Sequence, residues 1–168
     1  MLRSRPNSLA MAMIASLLVA KAAVAHPAPQ AAGRIQARPL ADAAAARVVD
    51  DFHTALARGD TSAAASLLSE AVIIFEGGSA ERSRNEYATA HLPADATFEK
   101  AVGSQLVQRS GEASGDMAWV ASEGRTKGQF KSRDVDRVTT ETAVLRRIDG
   151  RWRIVHLHWS SQAAQAQH

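Results

Sequence analysis

The chain has 168 residues, 46% of them apolar, with 20 Lys plus Arg against 17 Asp plus Glu and no cysteine. That length suits one domain with its own core, and the missing cysteines exclude disulfides, thiolate metal sites, a cysteine nucleophile and a lipid-modified N-terminal cysteine. The formal charge of +3 does not point to nucleic acid, because phosphate binding needs a clustered basic surface, and Arg146, Arg147, Arg151 and Arg153 fit a solvated strand face.

The first segment has the order of a secretory signal. Arg3 and Arg5 precede the apolar run LAMAMIASLLVA, and Ala23-Val24-Ala25 is a small-x-small cleavage site. The run is too short to cross a bilayer as a helix, which takes about 20 residues. Residues 1–25 are therefore expected to be removed, leaving a periplasmic or secreted chain with no membrane attachment. Loss of Arg3, Arg5 and Lys21 brings the 20 basic residues level with the 17 acidic ones. Residues 26–40, rich in Pro, Ala and Gln, read as a flexible linker. The domain is expected over 41–162, with a disordered tail at 163–168. His26 would become the N-terminal residue, with an amine and an imidazole able to chelate copper, although no second histidine stands beside it.

Residues 41–58 predict a helix, since Ala45, Val48, Val49, Phe52, Ala55 and Leu56 form one apolar stripe and Gly59 ends it. Asp60 caps a second helix through Leu68. AVIIFE, residues 71–76, reads as a buried strand, broken by Gly77-Gly78. Ser83 and Glu86 have capping-box spacing for a third helix toward His91. Pro93 interrupts it, and a further turn runs toward Lys100. Residues 102–112, 115–128, 137–148 and 151–160 then alternate as four strands. Gly115-Asp116 and Asp149-Gly150 mark turns, and residues 131–136 read as a polar loop. Helices followed by long antiparallel strands give an α+β class.

Four stretches, VVDDFHTALARGDTSAAASLLSEAVIIFEGG, SRNEYATAHLP, GDMAWVASEGRTKG and ETAVLRRIDGRWRIVHLHWSS, resemble the nuclear transport factor 2-like, or cystatin-like, cone fold. Within it they resemble the SnoaL-like group, over about residues 45–162. The last stretch is also similar to the closing strand of the association domain of calcium/calmodulin-dependent protein kinases. The resemblance implies a strongly curved antiparallel sheet wrapped around N-terminal helices, a deep pocket at the wide end, and homodimers. It implies no single reaction, because the fold carries isomerases, cyclases, dehydratases, hydrolases and non-catalytic domains. Its enzymes often use an Asp–His or a Tyr–Asp pair.

Strict alternation along the last strand places Trp152, Ile154, His156, His158 and Ser160 on one face. His156 and His158 then lie about 7 Å apart and point the same way. They read as struts of the sheet, as pocket lining with an acid–base role, or as two ligands of a metal whose third would be Glu123, His91 or Glu76. Glu123 shares a face with Met117, Trp119 and Arg125. It is either a pocket carboxylate raised by burial or an outward cross-strand charge, the second being favoured. Tyr87 and His91, four apart on the third helix, line the mouth or stack at the surface. His53 follows Asp50 and Asp51 on the first helix.

The expected function is binding of a small apolar or carbonyl-bearing molecule by His53, Tyr87, His91 and Trp119, with His156, His158 or Glu123 moving a proton. No cofactor and no nucleic acid is called for, since the chain lacks a nucleotide-binding glycine loop and a nucleophile elbow. The alternatives are a non-catalytic association module and a histidine-based metal protein.

Overall fold

The computed structural model describes residues 43–164. The expected leader, its cleavage site, the linker, the His26 copper site and residues 165–168 lie outside the described residues. Among those described, the elements run α1 (Ala43–Arg58), α2 (Thr61–Leu67), β1 (Leu68–Glu76), β2 (Ser79–Glu81), α3 (Arg84–Thr89), α4 (Leu92–Ala101), β3 (Val102–Ser114), β4 (Met117–Phe130), β5 (Arg133–Ile148) and β6 (Arg151–Ala163). All strands join one sheet in the order β2-β1-β6-β5-β4-β3. The sheet curves, the helices lie against one of its faces, and the class is α+β as expected.

Local chemistry sets the helix ends. Val49, Phe52 and Leu56 of the α1 stripe are buried. Gly59 turns the chain at φ +75°, where residues other than glycine rarely sit. The Asp60 carboxylate accepts the Ala63 N–H at 2.9 Å, and Ser83 Oγ accepts the Glu86 N–H at 3.1 Å. Glu86 Oε2 in turn accepts the Arg82 N–H at 2.7 Å. Pro93 does not break a helix. It sits in the first turn of α4, where its missing N–H costs nothing.

The sheet is antiparallel except at one seam, where β1 pairs in parallel with β6. A short strand, β2, pairs with the end of β1 where a plain break was expected. Residues 131–136 are not a loop: Lys131 and Ser132 form a two-residue turn with φ of 49° and 61°, and β5 starts at Arg133. Both φ values are those of a hairpin turn whose twist matches its strands. At the end of β6, Ala163 pairs with Arg137 and the Ala164 N–H donates to the Asp136 carbonyl at 3.0 Å.

The largest correction is a β-bulge. Ile154 pairs with Leu145 and His156 with Val144, which leaves Val155 without a partner. An extra residue in one strand reverses the faces beyond it. Trp152, Ile154, Leu157 and Trp159 therefore face the helices, whereas His156 and His158 face the other way. Three rows cross the helix-covered face: Ala118, Leu145, Ile154 and Leu68; then Val120, Ala143, Leu157 and Ile74; then Ser122, Glu141, Trp159 and Glu76. The first two rows are buried and apolar. In the third the core turns polar.

The bulge separates two neighbouring substitutions. Leu157→Ala is expected to cost about 2–5 kcal/mol, as large-to-small changes in a core do. His158→Ala is expected to stay within about 0.5 kcal/mol, as exposed changes do. Urea unfolding of both variants checks this, and strict alternation requires the opposite order.

Candidate functional site

The polar row is where α1, β3, β5 and β6 place charged groups together. Phe52 and His53 are adjacent on α1, so Phe52 enters the core while His53 lies at its border. Glu141 on β5 pairs in register with Trp159 on β6. His53 Nε2 lies 2.6 Å from Glu141 Oε2, and the Trp159 indole N–H donates to the same oxygen at 2.6 Å. Glu141 is 7% exposed, and its other oxygen, Oε1, is buried with no hydrogen-bond partner among the described residues. Phe52 stacks on Trp159 with ring centres 6.1 Å apart, which holds the indole in place.

Arg109 reaches this row through a second bulge. Leu106 pairs with Gly124 and Gln108 with Glu123, so Val107 is unpaired and Arg109 turns toward the helices opposite Ser122. Its Nε donates to Ser122 Oγ at 3.1 Å and its Nη1 to Asp50 Oδ1 at 2.6 Å. Asp50 precedes His53 by three residues on α1, so the two share a helix face.

Burial opposes the charge on both members of the His53–Glu141 pair, and their mutual attraction overcomes it. For His53, burial pulls the pKa down, but the hydrogen bond and charge of Glu141 carry it above 6.5. For Glu141, burial pushes upward, but His53 and the Trp159 N–H hold the carboxyl below the usual range. Each member of the pair thus favours the charged form of the other, imidazolium facing carboxylate. His53 keeps 37% of its side-chain surface accessible.

A second polar group lies where α3, α4, β1 and β2 meet. The Tyr87 hydroxyl, fully buried, donates to Asp95 Oδ2 at 2.7 Å. Burial, then the Asp95 charge, raises the Tyr87 pKa far above the usual phenol value. Burial raises Asp95 as well, although the Tyr87 hydrogen bond opposes it. Burial also raises Glu76, helped by repulsion from Asp95. His91 Nδ1 meets Glu81 Oε1, and that hydrogen bond raises the histidine. The rings of Tyr87 and Trp159 lie 6.4 Å apart, which brings the two groups to either side of one indole.

Of the residues singled out in the sequence, His53 and Tyr87 both lie beside Trp159, with ring centres 6.5 and 6.4 Å from the indole. His91 does not share a helix with Tyr87: α3 ends at Thr89, and His91 stands at the head of α4. Trp119, Glu123, His156 and His158 all lie on the sheet face away from the helices. Trp119 is in one row with Val144, His156 and Ile73, and His158 is in the next with Phe75. His156 Nδ1 contacts the Ile73 carbonyl at 2.9 Å. Glu123 is exposed between Gln108 and Thr140. Among the described residues, no group of three or more His, Cys, Asp or Glu is arranged to hold a metal ion. A depression of about 260 Å³ between α1 and α2, lined by Asp51, Thr54, Arg58 and Ser66, is separate from the polar row.

Glu141, Trp159, Asp95 and Arg109 were not singled out in the sequence. Glu141 carries a usable signal, since it alternates in phase with Ala143 and Leu145 and so must share their buried face. Trp159 and Arg109 carry none, because each owes its direction to a bulge.

A model of the SnoaL-like domain matches residues 45–165. A candidate ketosteroid isomerase from Shewanella frigidimarina is 39% identical, with a TM-score of 0.69, covering 71% of this chain and 97% of that one. A nuclear transport factor 2-like protein with a cystatin-like fold from Novosphingobium aromaticivorans is 17% identical, with a TM-score of 0.59 and coverage of 71% and 80%. A candidate calcium/calmodulin-dependent protein kinase II association domain from Xanthomonas campestris is 20% identical, with a TM-score of 0.59 and coverage of 70% and 84%. These last two share the fold. No curated protein matches the chain.

The ion pair dictates a pH window. The raised His53 pKa adds stability that is complete below 6.5 and lost as pH rises through the folded value. The lowered Glu141 pKa adds stability that is complete above 4.5 and lost as pH falls through the folded value. The stability difference between wild type and Glu141→Gln is therefore expected to peak between pH 4.5 and 6.5. In the same variant the His53 ring, followed by NMR, is expected to titrate below 6.5, because burial then acts without its carboxylate partner.

Proposed function

Because the chain belongs to the SnoaL-like domain family, we propose that its polar row binds a small apolar molecule bearing a carbonyl and moves a proton on it. The observation that carries this reading is Glu141, a buried carboxylate with one oxygen held by two donors and the other without a partner. A buried charged group with free acceptor capacity is costly to keep. Such groups concentrate where proton transfer is needed.

A carbon beside a carbonyl is acidic because the electron pair left behind spreads onto oxygen. In this reading Glu141 Oε1 takes that proton. His53, held as imidazolium by Glu141, offers its Nδ1–H to the developing oxyanion, a charge-assisted donor in a poorly solvated setting. Nδ1 has no hydrogen-bond partner among the described residues. Trp159, backed by the buried Phe52, supplies the apolar wall that small-molecule sites usually have. Returning the proton further along an adjoining alkene shifts the double bond into conjugation, with no atom gained or lost. The name of the Shewanella frigidimarina relative supports an isomerisation of this kind.

The assay uses cyclic and steroidal β,γ-unsaturated ketones and follows the absorbance of the conjugated product. Glu141→Gln is expected to lower kcat by roughly 10²- to 10⁴-fold, the usual worth of a positioned general base. A wild-type chain no faster than this variant on every ketone would refute the reading.

A second reading, association of two copies, draws on the opposite face of the sheet. Ile73, Phe75, Met117 and Trp119 are each 40–43% exposed there, and contiguous exposed apolar groups mark interaction surfaces. The name of the Xanthomonas campestris neighbour, an association domain, agrees with it. Analytical ultracentrifugation is expected to find a dimer that Trp119→Asp converts to monomer. A wild-type chain that sediments as monomer removes this reading.

A further inference from the structure

We propose that Trp159 is a positioning residue: its indole N–H joins His53 on one oxygen of Glu141 and so reserves the other oxygen for the bound molecule. The inference rests on the proton-transfer reading of the same site and adds the group that decides which carboxylate oxygen acts.

Three observations carry it. The Trp159 N–H and His53 Nε2 both lie 2.6 Å from Oε2. Oε1 is buried without a partner among the described residues. The indole itself cannot swing away, because Phe52 stacks on it, Tyr87 tilts against it 6.4 Å off and the His53 ring stands 6.5 Å off. A carboxylate free to flip would present either oxygen to a substrate. Two donors on one oxygen remove that freedom, and the reacting atom is fixed before anything binds.

The two donors are not equivalent. His53 gives and takes a proton in the range where enzymes work, so its contribution to Glu141 varies with pH. An indole N–H is a donor only and stays neutral, so the Trp159 bond persists across that range. The charged groups facing Glu141 are His53 from α1 and Arg109 from β3. Glu99 from α4 and Arg109 act on His53 in turn. Ser122 on β4 and Trp159 on β6 face the carboxylate without charge. Trp159 is thus the donor that keeps Glu141 an ionised, oriented base when His53 has lost its proton.

The test is Trp159→Phe in the full chain, which keeps an aromatic ring for Phe52 and deletes the N–H. With ¹³C-labelled glutamate, the Glu141 carboxyl is expected to titrate about one pH unit higher in this variant, a tenfold change in proton affinity of the size a charge-assisted hydrogen bond supplies. An unchanged Glu141 titration in Trp159→Phe overturns the proposal. So does a wild-type Trp159 indole N–H resonance that stays fixed while Glu141 titrates, a measurement that needs no folded variant at this position. In the ketone assay the acid limb of kcat/KM is expected to rise with the Glu141 titration while KM holds within about twofold, because the N–H touches the base and not the substrate. If the NMR titration moves and the kinetic limb does not, Glu141 is not the reacting base, and the proton-transfer reading fails while the role of Trp159 on the carboxylate stands.

Discussion

Taking a carboxylate out of water costs several kcal/mol even after the protein relaxes around it. On the helix-covered face of this sheet one such group, Glu141, is 7% exposed, and much of the surrounding structure can be read as the set of donors that keeps it charged. A histidine must come from α1, an indole from β6 and a guanidinium from β3, and each must arrive at the correct height. The two apolar rows, Ala118 to Leu68 and Val120 to Ile74, hold the helices at that height. The core thus positions the site as well as stabilising the fold.

Much of the fold is legible because its signals are local. The α1 stripe, the caps at Asp60 and Ser83 and the Asp149-Gly150 turn each involve residues a few positions apart. The bulges at Val155 and Val107 are not local. Whether a strand carries an extra residue depends on the register of a partner many positions away, and nothing in RWRIVHLHW announces it. That single residue turns His156 and His158 from the pocket side to the open side and brings Trp159 inward. Glu141 was visible in principle through its phase with Leu145, but a glutamate flanked by threonines resembles a solvated strand position. Its histidine partner is 88 residues away.

The two faces of the sheet now have different physics. One descends from an apolar floor at Leu68, Ile154 and Leu145 to a rim of ionisable groups, graded within three residue rows. The other alternates polar side chains with Ile73, Phe75, Met117 and Trp119, and its two histidines pack edge-on against Phe75. Chemistry on the first and contact with another surface on the second would not compete for the same residues. The strands share a backbone, however, so a change that alters the Val155 bulge would disturb both.

The parallel pairing of β1 with β6 also bears on how the molecule comes into being. β6 lies between β1 and β5 inside the sheet, yet it is the last strand among the described residues, and Leu68 finds its neighbour only at Ile154. Such distant contacts must await most of the polypeptide and slow the search for the native state. During synthesis β1 has β2 as its partner on one edge and nothing on the other. The nascent chain therefore passes through a stage in which its most apolar strand is half-satisfied, and the segment that ends this exposure is the one that delivers Trp159 to Glu141. Sheet closure and completion of the polar row are a single event.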